Sequence, residues 1–281
     1  ISSGFNRGLT LSVQSMDMDV LDEIRRRNME ISDLKMIFDK CNKEQIPSYT
    51  ELILGLPNET YNSWRRGLCE IIEAGQHNTV ESWLAQLLEN AHMNTPDERR
   101  KHELTTIVVD NYVSGHEEED NISEKVELVT GTKSMPRDMF LKAWMYSWMI
   151  NNFHNFGWTQ AITRFLRRYK NFTYLEMYDH LLEQIMKDDG KVGELYMKAY
   201  EQMKIYLETG SDASFDSGCN RIDGAIQGFG GCPMASDNLI GNMPTEKIIS
   251  YCQEKGIETS INPLKFEAAY NYASDIFLNY H

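Results

Sequence analysis

Residues 48–60 read SYTELILGLPNET. The first nine are rich in Thr, Tyr, Leu and Ile, which suit an extended, half-buried chain, so a strand is expected over 48–56. Pro57 and Asn58 halt it, because proline brings no N–H to a sheet ladder. Thr60 then offers a hydroxyl to a helix start, and a helix is expected over 60–74, closed by Gly75. A strand, a tight turn and a helix make half of a parallel β-α-β unit. The fold therefore depends on whether the flanks repeat it.

They do. Upstream, Leu9, Leu11 and Val13 alternate with Thr10, Ser12 and Gln14, the period of a strand with one wet face. Asp17 and Asp19 are cap candidates before Val20, Leu21 and Ile24, and Ser32 precedes Leu34, Ile37, Phe38 and Cys41 at helical spacing. Downstream, 79–88 reads as a third strand. Beyond Thr95 the pattern changes to short strands at 105–110 and 126–130 around the acidic run 117–120, then to helices over 135–207. Trp144, Trp148, Phe153, Phe156 and Trp158 are expected to form a helical core rather than a cofactor box. After Gly210-Ser211 come a strand at 221–228, a helix carrying Ile248, Ile249 and Cys252, and a last helix begun by Pro263. The expected class is α/β: partial TIM-barrel-like parallel strand–helix units with a large helical segment between them. The expected divisions are 1–94, 95–209 and 212–281.

The 281 residues carry a net charge of −14, which disfavours nucleic acid as the main partner because phosphates would be repelled. The arginines at 25–27 and at 164, 167 and 168 are expected along solvated helix faces. No apolar run approaches the length of a membrane helix. Cys41, Cys69, Cys219, Cys232 and Cys252 lie far apart, without the close spacing of an iron–sulfur or zinc set. The odd cysteine count and the absence of a signal peptide point to a reducing cytoplasm. Starting at Ile1 rather than Met leads to the expectation of a fragment or processed product.

Three segments, LTLSVQSMDMDVLDEIRRRN (9–28), ELILGLPNET (51–60) and VESWLAQLLENAHMN (80–94), together resemble the later strand regions of the radical SAM barrel, in its cobalamin-associated branch. The resemblance spans about 7–209. It implies S-adenosylmethionine as cofactor, with Ser12 and Gln14 bonding a ribose or amino-acid moiety. Glu51 would hold SAM polar atoms, and Ile53 and Gly55 would give the adenine an apolar approach. Read without the family, Ser12 and Gln14 are satisfied polar residues and Glu51 is a strand-edge acid. The family also implies a [4Fe–4S] cluster on three cysteines, and no such motif stands in this sequence.

RIDGAIQGFGGCPMASDNLIGNMPTEKIISYCQEKG (221–256) resembles the end of hydroxymethylglutaryl-CoA lyase and related metallolyases, the match running over about 213–281. That resemblance implies a proton-transfer role for Cys232 and a divalent cation, Mg²⁺ or Mn²⁺, touched by the side-chain oxygen of Asn242. The ligand set is incomplete, since no HxH pair accompanies it. Otherwise Cys232 is a packed loop thiol and Asn242 a helix cap.

Three functions follow as expectations. One is the carboxyl portion of a radical SAM enzyme for a small molecule or methyl acceptor, not catalytic without its cluster motif. The second is part of an acyl-CoA lyase. The third is a non-catalytic scaffold or chimera of two enzyme-derived pieces. Expected partners are a small-molecule substrate or acyl-CoA, with self-association or a separately supplied amino-terminal half, and neither nucleic acid nor membrane.

Overall fold

The computed structural model describes residues 8–110, 125–210, 245–254, 259 and 261–277. The chain clusters into two compact units, Ile1–Val109 with Lys125–Ser217, and Asp110–Glu124 with Gly218–His281. In chain order the elements are β1 (Leu9–Gln14), α1 (Met18–Glu23), α2 (Ile31–Lys43), β2 (Ser48–Leu54), α3 (Tyr61–Glu73) and β3 (Thr79–Leu84). Then come α4 (Pro96–Lys101), β4 (Thr105–Asp110), β5 (Lys125–Gly131), α5 (Arg137–Ile150), α6 (Gln160–Lys170), α7 (Tyr174–Lys187) and α8 (Lys191–Thr209).

β1, β2 and β3 form a parallel sheet in that order, and β4 pairs with β5 in a two-stranded sheet. Helices connect the parallel strands, since such strands cannot be joined by a tight hairpin. Among the described residues the strands do not close into a barrel. The architecture that stands is a mixed α/β one built on a three-stranded parallel sheet.

β2 stops at Leu54, two residues earlier than its composition suggests. Gly55 has φ +103°, and a Cβ there would stand 3.1 Å from the side chains of Phe140 and Val129. The turn thus needs glycine both for its dihedral and for close packing. α1 begins as its sequence predicts, with Asp17 Oδ1 accepting from the amides of Asp19 (3.0 Å) and Val20 (3.3 Å). α3 begins with a reciprocal box between Thr60 and Ser63. Ser32 does not cap α2, because the helix starts one residue earlier and places Ser32 inside its first turn.

Val13, Leu52, Leu54 and Val80 share one core with Val20, Leu34, Phe38, Trp64, Leu68, Ile72 and Phe140. On α3 the buried Trp64, Leu68, Ile71 and Ile72 recur at helical spacing. From Ala143 to Ile150 α5 is buried or half-buried all round, although Arg137, Asp138, Met139 and Lys142 before that stretch are exposed. The expected aromatic core holds only in part. Phe153 is buried and Trp144 and Trp148 are packed against the core, whereas Phe156 and Trp158 are exposed beyond the helical turn that carried the apolar period.

A π-helical turn, Asn151–Asn155, follows α5 and aims two polar side chains inward. Asn155 receives the Val80 amide on Oδ1 (3.1 Å) and donates Nδ2 to the Val80 carbonyl (2.9 Å). His154 Nδ1 lies 2.6 Å from the Tyr178 hydroxyl, and its Nε2 lies 3.4 Å from His77 Nδ1. Burial first, and then the charge of Arg164, depresses His77 to about 4, while burial first, and then the charges of His77 and Arg164, depresses His154 to about 3.

In the second unit the described helices are α9 (Thr245–Glu254), which carries the buried Cys252, and α10 (Pro263–Phe277). Asn262 Oδ1 accepts the Lys265 amide at 3.1 Å, so α10 has Pro263 at its first position behind an Asn cap. No described helix is long and apolar enough to cross a membrane.

Candidate functional site

The parallel sheet has two unlike faces. On β2, Ser48, Thr50, Leu52 and Leu54 are buried, while Tyr49, Glu51 and Ile53 are half-buried. The register sets Ser12 of β1 and Glu81 of β3 on either side of Glu51, and Trp83 beside Ile53. Ser12 Oγ donates to Glu51 Oε2 at 2.5 Å. Burial and, second, the neighbouring Glu51 charge raise the Glu81 carboxyl above the usual carboxylate range. Trp83 leaves 54% of its surface exposed, a large indole on a strand. The face therefore presents a hydroxyl, two adjacent carboxyls and an apolar pair within three strand positions.

The end of β1 is shaped by an irregularity. The pairing shifts between Ser12 and Gln14, and Gln14 has φ +62°, a left-handed conformation uncommon outside glycine. The turn is clamped from behind: Arg26 donates to the Ser12 carbonyl, and Asn28 Nδ2 donates to the carbonyls of Val13 (2.9 Å) and Ser15 (2.7 Å). Next to it lies Glu59, 1% exposed, which accepts from Ser15 Oγ at 2.6 Å and from Ser63 Oγ. Burial raises its carboxyl against the opposing pull of those two hydroxyls. Glu59 thus ties the ends of β1 and β2 to the start of α3.

Beyond the carboxyl ends of β1 and β2 opens a pocket of about 470 Å³, lined by Asp19, Asp22, Glu23, Arg25, Asn58, His92, Glu98 and Lys101. Ligands of parallel α/β folds sit at this end of the strands, where connecting loops diverge and helix N-termini point outward.

Of the residues singled out in the sequence, Ser12 and Glu51 are brought into contact. Ile53 lies two positions along the same strand, and Gln14 ends β1 with a half-buried side chain. Gly55 lies under Phe140 and Val129, within the unit's own packing. Cys232 and Asn242 lie outside the described residues. The alternation of 80–84 carried the missing signal for Glu81 and Trp83, which share parity with each other and, once the register is known, with Glu51. Glu59 had no such signal, because its burial follows from a turn closing over it. Cys41 and Cys69 are separately buried, and Cys69, 3.5 Å from the Tyr146 hydroxyl, has its thiol pushed up to about 12 by burial.

No family model matches the chain. Over 202 residues it is 33% identical to the cobalamin-dependent radical SAM methyltransferase TokK of Streptomyces tokunonensis, covering 72% of this chain and 30% of that protein. Over the same length it is 31% identical to the 2-(S-pantetheinyl)-carbapenam-3-carboxylate methyltransferase of Streptantibioticus cattleyicolor, again covering 72% of this chain and 30% of that protein. The chain spans under a third of the length of the curated relatives it matches. The first name agrees with the radical SAM resemblance of the front segments, and both names specify methyl transfer. Neither is a lyase, and the lyase and chimera readings of the tail gain no support from them.

Proposed function

We propose that the first unit is the SAM-handling part of a radical SAM methyltransferase, with the open face of β1–β3 as the cofactor surface. The observation that carries this reading is the Ser12–Glu51–Glu81 row beside Ile53 and Trp83. SAM bears a sulfonium and an ammonium group, two ribose hydroxyls and a flat adenine. Carboxyls suit the cations and the hydroxyls, Ser12 and Gln14 add hydrogen-bonding positions, and Ile53 with Trp83 offers apolar surface to a ring. The donor set therefore fits the cofactor, which when bound supplies an activated methyl group or the precursor of a radical. The chain's own part is to hold the ligand. Ser12 fixes one Glu51 oxygen, which leaves the other turned to a ligand, and the clamp of Arg26 and Asn28 sets where Ser12 and Gln14 stand.

An iron–sulfur cluster is a different matter. Among the described residues Cys41, Cys69 and Cys252 are each buried and present no three-thiolate set to hold one. The substrate is a small molecule or methyl acceptor whose identity the open face does not select. Isothermal titration with SAM tests the reading. Binding that Glu51→Gln and Trp83→Ala each weaken about tenfold or more, a loss near 1.4 kcal/mol, is the expected result. Absence of SAM binding, or binding indifferent to both substitutions, would overturn it.

A further inference from the structure

We propose that Glu23, Glu98 and His102 form a site for a divalent cation of the Mn(II) type, distinct from the sheet face assigned to SAM. Glu23 closes α1. Glu98 lies on α4, and His102, four residues later, caps its end, so both side chains fall on one side of that helix. One ligand atom from each of the three lies within 4.8 Å of the others. His102 Nε2 stands 3.3 Å from Glu23 Oε1 and 3.2 Å from Glu98 Oε2, and its side chain is only 6% exposed. The Lys133 amide donates to the His102 carbonyl at 2.7 Å, which fixes the backbone that aims the ring.

A positive group already sits between the two carboxylates. The Lys101 ammonium bonds Glu23 and lies 3.6 Å from Glu98 Oε2, while its side chain is 51% exposed and has room to swing away. Two carboxylates against one ammonium leave a formal charge of −1, which a divalent ion replacing the ammonium removes. The pocket of about 470 Å³ opens onto Glu23 and Glu98 and leaves space for water to complete the coordination. Two carboxylate oxygens and one imidazole nitrogen make a donor set of the kind Mn(II) accepts, and the absence of sulfur disfavours softer ions.

The test is titration of the whole chain with Mn(II) alone, followed by loss of the free-ion electron paramagnetic resonance signal. A thiol-avoiding ion keeps the five cysteines out of the reading. One bound ion per chain is expected. Glu98→Gln and His102→Ala should each weaken it at least roughly tenfold, the lower end of the effect that even outer-sphere partners exert. Lys101→Met should tighten it, because a competing cation is gone. Circular dichroism of each variant checks that the fold is kept. No binding at millimolar Mn(II), or binding undiminished in folded Glu98→Gln and His102→Ala, would overturn the site, as would weaker binding in Lys101→Met.

Discussion

The two faces of β2 differ by one residue of register and in almost everything else. Thr50, Leu52 and Leu54 face a core sealed by α3 and α5, whereas Tyr49, Glu51 and Ile53 face a surface that keeps polar groups together. Parallel sheets ordinarily have both faces covered, and their strands then read as continuous apolar runs. This strand alternates instead. The sealed face holds the fully buried side chains of β2, while on the other face only half-buried ones stand, Ile53 among them packed against the core.

That division can be broken most decisively at Trp64. It is 1% exposed and donates its indole N–H to Ser147 Oγ at 2.9 Å, joining α3 to α5. Trp64→Ala should destabilise the fold by about 3–5 kcal/mol, through lost burial and the cavity left behind, as read from urea unfolding. A loss below about 1 kcal/mol would mean that the sealed face is not what holds the sheet.

The next effect is expected from acid. His77 and His154 sit where the π-helical turn meets the lower end of the sheet, and both titrate below the ordinary value of 6.5. The unfolded chain therefore takes up these protons first as pH falls. Stability should be level above pH ~7 and decline from about pH 6.5 toward 4, by roughly 1.4 kcal/mol per pH unit for each imidazole. The buried Glu59 acts in the opposite sense, because its raised carboxyl contributes stability at low pH that is lost as pH rises through its folded value. Melting temperature against pH, compared with His77→Gln, separates the two. The variant should show a shallower acid limb, and an unchanged limb would remove this junction from the account.

The smallest effect belongs to the open face. Ser12→Ala should change stability by no more than about 0.5 kcal/mol, since its hydrogen bond to Glu51 is exposed. A larger loss in urea would make that face structural and weaken its reading as a ligand surface.

The sequence carried the alternation of β1, the Asp17 and Thr60 caps and the long helical segment, because each rests on local periodicity or one side chain's reach. The family resemblance singled out Ser12 and Glu51, whose side chains the structure brings into contact. The sequence did not carry the placement of Glu81 beside Glu51 and of Trp83 beside Ile53, which depends on pairing the strands in register. Ser32 misled for a related reason: a capping residue type is common inside first turns as well as before them. Glu23, Glu98 and His102 come from segments more than seventy residues apart, and no local pattern joins Glu23 to the other two.

Asn155 has one last consequence. By answering both hydrogen-bonding groups of Val80, its amide imitates the neighbour that a bare border would otherwise recruit, and β5 meets the continuation of the same border through Ala85 and Leu87. An incoming extended peptide would have to evict a chelating side chain before it could zip on beside β3. Among the described residues that border is thus covered at Val80 and again at Ala85 and Leu87, which leaves less of it bare for another strand.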